Sequence, residues 1–259
     1  MDIVLPLLGT AFLWWFSTVV ALYLIGLPTT TYRATFLCAT GLGVVGVFAV
    51  VMSSTTTSAL SAFVAFAGAL AIWSWHELSY YLGFVSGPEP RPCPPDCTRP
   101  ERFLRGVRAS LHHELAIVAT AAILLVASWQ APNQVGLWTF CILWLMRWSA
   151  KLNIFLGVRN VHMDFLPSHL QYLSTFMTNR PMNVLFPFSL LVAGAVAGWL
   201  IGEVRAADAS AFAVTAGVAM ATLLVLAIFE HLLLVMKLPD GVLWRLGTAS
   251  RRGMRALHE

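Results

Sequence analysis

The chain has 259 residues, 58% of them hydrophobic and only 11% charged, with a formal net charge of +4 and a mean hydropathy of +0.76. Soluble domains carry about 25% charged residues, so this composition cannot cover a water-facing surface, and lipid is the expected solvent. No basic cluster is interleaved with aromatic residues in a way that would track a phosphate backbone, which sets nucleic acid aside as a partner.

Seven apolar segments are each long enough to cross about 30 Å of hydrocarbon, which takes roughly 20 helical residues. The first, near residues 3–27, follows Asp2 rather than a basic stretch and is not followed by a small-x-small cleavage site, so it reads as a retained span. The others lie near 34–52, 59–84, 107–129, 135–157, 183–202 and 210–236. No period-2 alternation suggests a barrel, so the expected fold is all-α and polytopic, a single membrane domain. Residues 85–106 and 158–182 are the long connections, and 237–259 form a tail. Cys93 and Cys97 share the proline-rich loop "PEPRPCPPDC", where a cytoplasmic location argues against a structural disulfide.

Lys and Arg set the orientation. With the first terminus outside, 15 of the 16 basic residues fall on cytoplasmic connections or the tail, and only Arg205 falls outside. So lopsided a distribution predicts an N-out, C-in topology with both long connections cytoplasmic. Arg147, Lys151 and Asn153, at the inner end of the fifth span, read as snorkelling anchors.

The stretch "LHHEL", residues 111–115, places ionisable groups inside an apolar run. At 1.5 Å per residue, His113 lies about 12 Å along its helix from Arg105. His76 and Glu77 in the third span, and Glu230 and His231 in the seventh, come to the same depth. The connection 158–182 adds His162, Asp164 and His169. A carboxylate at mid-helix costs about 2.5–3.5 kcal/mol on insertion scales and less near an interface. Glu77, Glu114 and Glu230 should therefore face the bundle interior and find partners. Imidazole and carboxylate together suit iron, zinc or manganese, and bundles build metal sites from facing helices. The candidate ligands are His76, Glu77, His112, His113, Glu114, His169, Glu230 and His231. Adjacent side chains diverge by about 100° on a helix, so His112 and His113 cannot both aim at one point.

Interhelical hydrogen bonds and ion pairs that lock the bundle are the competing reading, as is ligation of bacteriochlorophyll or haem. Neither the H-x-x-x-H box of membrane desaturases nor the Glu-x-x-His pair of ferritin-type di-iron bundles is present. Hydrolase chemistry has no motif to support it.

The blocks "FLWWFST" (12–18), "WHELS" (75–79), "HHE" (112–114), "APNQVGLWTF" (131–140) and "RWSAKLNIFLGVRN" (147–160) resemble the photosynthetic complex assembly protein 2 family, the PuhE type. So do "LPSHLQYL" (166–173), "RPMNVLFP" (180–187) and "EHLLLVMKLPDGVLWR" (230–245). The resemblance implies a multi-pass inner-membrane protein of phototrophic bacteria, tied to assembly of the reaction centre and light-harvesting ring or to bacteriochlorophyll supply. It puts Glu77, His113, Glu114, His169, Glu230 and His231 in family blocks and leaves His162 and Asp164 outside them. The functions in contention are an assembly factor docking reaction-centre or light-harvesting subunits, a metal-dependent membrane oxidoreductase or pigment-modifying enzyme, and a bacteriochlorophyll or haem carrier.

Overall fold

A computed structural model describes residues 3–161, 166–206 and 208–237. Among these residues the regular structure is helical, with one isolated bridge between Val158 and Asn179. The elements run α1 (Val4–Ile25), a 3-10 turn (Thr29–Thr31), α2 (Tyr32–Ser53), α3 (Ala59–Tyr81), α4 (Arg99–Ala109) and α5 (Leu111–Ala127). They continue with α6 (Val135–Leu156), a 3-10 segment (Ser168–Phe176), α7 (Leu185–Val204) and α8 (Ala211–Val235). α1, α2, α3, α7 and α8 are each long and apolar enough to span a membrane, and α4 with α5 adds a sixth candidate, bent by 58° at its break. The protein is thus built as a polytopic membrane protein. Its outer faces agree with that: Leu5, Phe48, Val126 and Leu191 are large apolar residues left exposed.

Three of the expectations need correction. Of the seven expected spans, the one at 135–157 forms α6 but is not among the helices long and apolar enough to cross a membrane by themselves. The span expected at 107–129 begins only at Leu111; residues Arg99–Ala109 form a separate helix in place of a loop. Thr98 accepts a hydrogen bond from the Glu101 backbone N–H, and the Glu101 carboxylate reaches back to the Thr98 N–H, a reciprocal cap with Pro100 in the first turn. Those backbone and hydroxyl donors hold the Glu101 carboxyl below its ordinary range. Cys93 and Cys97 are joined by a disulfide, their Cα atoms brought to 6.1 Å by the turn between them, which lies within disulfide reach.

α3 is the central element. It packs against α1, α2, α6 and α8, and Ala62, Ala65, Phe66, Ala69 and Leu70 are buried along it. α2 lies close enough to α3 that a Cβ on Gly46 would stand 2.6 Å from the Gly68 carbonyl oxygen, and one on Gly68 2.8 Å from that of Gly46. Small residues at a crossing let two backbones approach where lipid supplies no hydrophobic drive.

At one end of the bundle, Asn133 staples two connections together. Its side-chain NH2 donates to the carbonyls of Ser53 (2.9 Å) and Ser61 (3.2 Å), its own N–H donates to Ser54 O, and its Oδ1 receives the N–H of Val135. Asn133 is 2% exposed, so truncation strands several backbone groups out of water. Asn133→Ala should therefore lower stability in detergent by roughly 2 kcal/mol, seen as an earlier thermal midpoint. Gln134→Ala is the control: its amide makes a single 3.3 Å bond to Ser128 O, and its loss should have little effect.

The opposite end gathers the arginine-rich connections. Tyr32 donates to the Ile25 carbonyl, its ring meets His169 edge-on, and Asn160 caps α8 through the carbonyls of Leu233 and Met236. Gly157 ends α6 at φ +124°, a conformation side chains rarely adopt, with the Arg180 side chain folded over it.

Candidate functional site

The polar layer near the arginine-rich end is organised by α6. Arg147 and Lys151 are four residues apart and so share one face of that helix. The Arg147 guanidinium meets Glu77 of α3 at 3.0 Å, donates to the Tyr81 hydroxyl at 2.6 Å and lies over the Tyr81 ring. Lys151 meets Glu114 of α5 at 2.5 Å and lies over the ring of Tyr80. The indole N–H of Trp148 donates to the second oxygen of Glu114 at 2.6 Å. Two carboxylates on two helices are thus matched to two cations on a third. Arg147 and Lys151, expected as snorkelling anchors, are instead the countercharges of Glu77 and Glu114. The reason is electrostatic: a carboxylate withdrawn from water needs a cation at hand.

A second cluster continues the layer. The His231 Nδ1–H donates to the Ala227 carbonyl at 2.8 Å, which leaves Nε2 to accept from the Ser149 hydroxyl at 2.9 Å. One turn along α6, Asn153 donates to Ser149 O and to Ser189 Oγ on α7, and Asn183 donates to the Asn153 and Gly157 carbonyls. Asn153, also expected as an anchor, is fully buried and joins α6 to α7.

The eight candidate ligands separate into distinct surroundings. Glu77 and Glu114 are in ion pairs. His76 and His113 are completely buried with ring centroids 6.1 Å apart; His76 Nε2 bonds Thr120 Oγ1 at 3.0 Å, and the Tyr80 ring stands 4.7 Å from that of His113. His112 is exposed, one position round the helix from His113. Glu230, expected to face the bundle interior and find a partner there, is instead exposed on α8, while its neighbour His231 is buried. His169 lies in the connection, beneath Gly83 and beside Tyr32, where partial burial lowers its pKa against a hydrogen bond to the Tyr81 backbone. Among the described residues no three His, Cys, Asp or Glu side chains converge as a metal shell. His162 and Asp164 lie outside the described residues.

A model of the family described as "protein of unknown function (DUF3623)" matches residues 1–255. The chain belongs to the DUF3623 family. A relative in Rhodobacter capsulatus, named as an uncharacterized 30.4 kDa protein in the puhA 5' region, is 39% identical over 243 residues, covering 92% of this chain and 88% of its own. No solved structure matches.

Proposed function

We propose that this DUF3623 protein is an inner-membrane factor, N-out and C-in, for assembly of the photosynthetic reaction centre–light-harvesting complex. The observation that carries the reading is the use made of the intramembrane charges: Glu77 and Glu114 are held by Arg147 and Lys151, so the layer works as a lock between α3, α5 and α6. A rigid bundle with large apolar side chains along its outer faces suits the docking of other membrane helices. The relative's place beside puhA in a photosynthetic bacterium supports the same role, as do the sequence blocks that resemble the assembly family. The partners are then lipid and reaction-centre or light-harvesting subunits. Deletion of the gene in its phototrophic host should lower assembled complexes severalfold by near-infrared absorption, with restoration by the wild-type gene. Unchanged complex levels in the deletion strain would remove the proposal.

One observation favours a second reading. His76 Nδ1 and both ring nitrogens of His113 are buried without a hydrogen-bond partner among the described residues. Imidazole nitrogens in that condition are the donors that iron, zinc or another transition metal would take. Stoichiometric metal in protein purified from its own host, lost in His113→Ala, would establish this reading; metal content unaffected by that change would end it.

A further inference from the structure

The helix that the sequence concealed has a face that is only partly packed, touched there by the edge-on contact of Phe103 with the Phe155 ring at 5.2 Å. α4 carries four arginines at three-residue spacing, Arg99, Arg102, Arg105 and Arg108, against one acid, Glu101, which is engaged in the helix cap. Its inner side is occupied: Arg105 pairs with Glu89 at 2.6 Å, Arg102 lies over the Phe155 ring, Gly106 meets Phe176 and Ala109 is fully buried. The outer side presents Phe103, Leu104 and Val107, which are 44%, 49% and 40% exposed. With Pro100, these stand at i, i+3, i+4 and i+7, an apolar stripe along eight of the helix's eleven residues. Arg99 and Arg108 are exposed at its two ends. Arg108 stands 3.6 Å from the Glu89 carboxylate that Arg105 already holds, a loose contact that leaves its side chain 53% exposed.

What the stripe meets follows from where the helix is attached. α4 runs into the apolar helix α5 through a single residue, Ser110, with a bend of 58°. α5 alone has 17 residues, the short end of the range that crosses a bilayer, so a helix joined at its start lies where acyl chains give way to headgroups. There an apolar stripe flanked by arginines has a natural occupant: chains take the stripe and phosphates take the guanidinium groups. We infer that α4 is an interfacial helix that binds anionic phospholipid, with Phe103, Leu104 and Val107 among the acyl chains and Arg99 and Arg108 on headgroup phosphates. In the N-out, C-in orientation proposed above, this contact falls in the cytoplasmic leaflet. Its role is to hold the start of α5, and with it Glu114, at a fixed depth.

The test is hydrogen exchange on the full-length protein in nanodiscs of phosphatidylcholine, alone or doped with phosphatidylglycerol. Peptides covering residues 98–110 should exchange more slowly in the doped discs, and high salt should abolish the difference. Arg99→Gln with Arg108→Gln should abolish it too, each arginine contributing about fivefold to the preference. Equal exchange of the wild-type peptides in both bilayers overturns the inference, and so does a difference that survives removal of both arginines. Exchange in both discs as fast as an exposed loop likewise overturns lipid as the occupant of the stripe. The wild-type comparison decides the matter without any variant, and α6 and α8 peptides in the same spectra report that the variant is folded.

Discussion

Lys151→Met should destabilise the protein by roughly 2–4 kcal/mol, a fall of on the order of 5–10 °C in the thermal midpoint in detergent. The change leaves the Glu114 carboxylate, 15% exposed, with the Trp148 indole as its remaining hydrogen-bond donor. Removing one member of such a pair strands the other, which is the larger part of the cost. The lysine head is partly accessible, so the value lies below that of a fully enclosed pair. The double change Lys151→Met, Glu114→Met should recover most of the loss, because two apolar side chains of similar volume need no countercharge. Arg147→Met should behave in the same way towards Glu77 and should also free the Tyr81 hydroxyl. A Lys151→Met protein as stable as the wild type would show that the pair contributes nothing. A double variant no better than the single would show that packing, not charge, holds the layer.

Gly46→Leu should be at least as damaging, by about 3 kcal/mol, and for a different reason. The new Cβ would stand 2.6 Å from a backbone oxygen of α3 and 3.0 Å from Ile72, and a backbone cannot swing aside as a side-chain tip can. Gly68→Leu meets the same obstacle from the other helix. Gly41 and Gly194 have nothing within 4 Å of a built Cβ, so alanine there should be neutral or stabilise by a few tenths of a kcal/mol through the helix backbone. A large cost for alanine or leucine at Gly46 and little or none for alanine at Gly41, on one helix, separate the crossing from any general effect of glycine. Equal behaviour of the two in a thermal-shift measurement would dismiss the close crossing of α2 and α3.

Apolar length and the placing of Lys and Arg make the helical membrane fold legible in the sequence, because both obey the bilayer. Pairing is what a linear reading misses. The acids Glu77 and Glu114 stand out as expensive, yet Arg147 and Lys151 read separately as marks of topology. Asking where the countercharge of each buried acid lies joins them, since their four-residue spacing already puts them on one face. Helix geometry says only that the adjacent histidines diverge, with one at a shared site and the other behind it; His113 is buried, but His112 is exposed and backs nothing. α4 escapes notice because its arginines dominate the stretch "RPERFLRGVR". The signals of a helix start are there, in Thr98, Pro100 and Glu101. Which of the histidines share surroundings cannot be read at all, because the rotation of one helix against another is set by contacts such as Gly46 on Gly68 rather than by spacing along the chain.

The matching of charges across α3, α5 and α6 also bears on how the chain enters the membrane. α6, with its two cations, is not among the helices apolar enough to cross unaided, whereas the acids that neutralise it belong to segments made earlier. The order of synthesis therefore presents α6 with its counterions already waiting. A translocon would release α6 sideways into lipid only as part of a group, with α3 and α5 as its escorts.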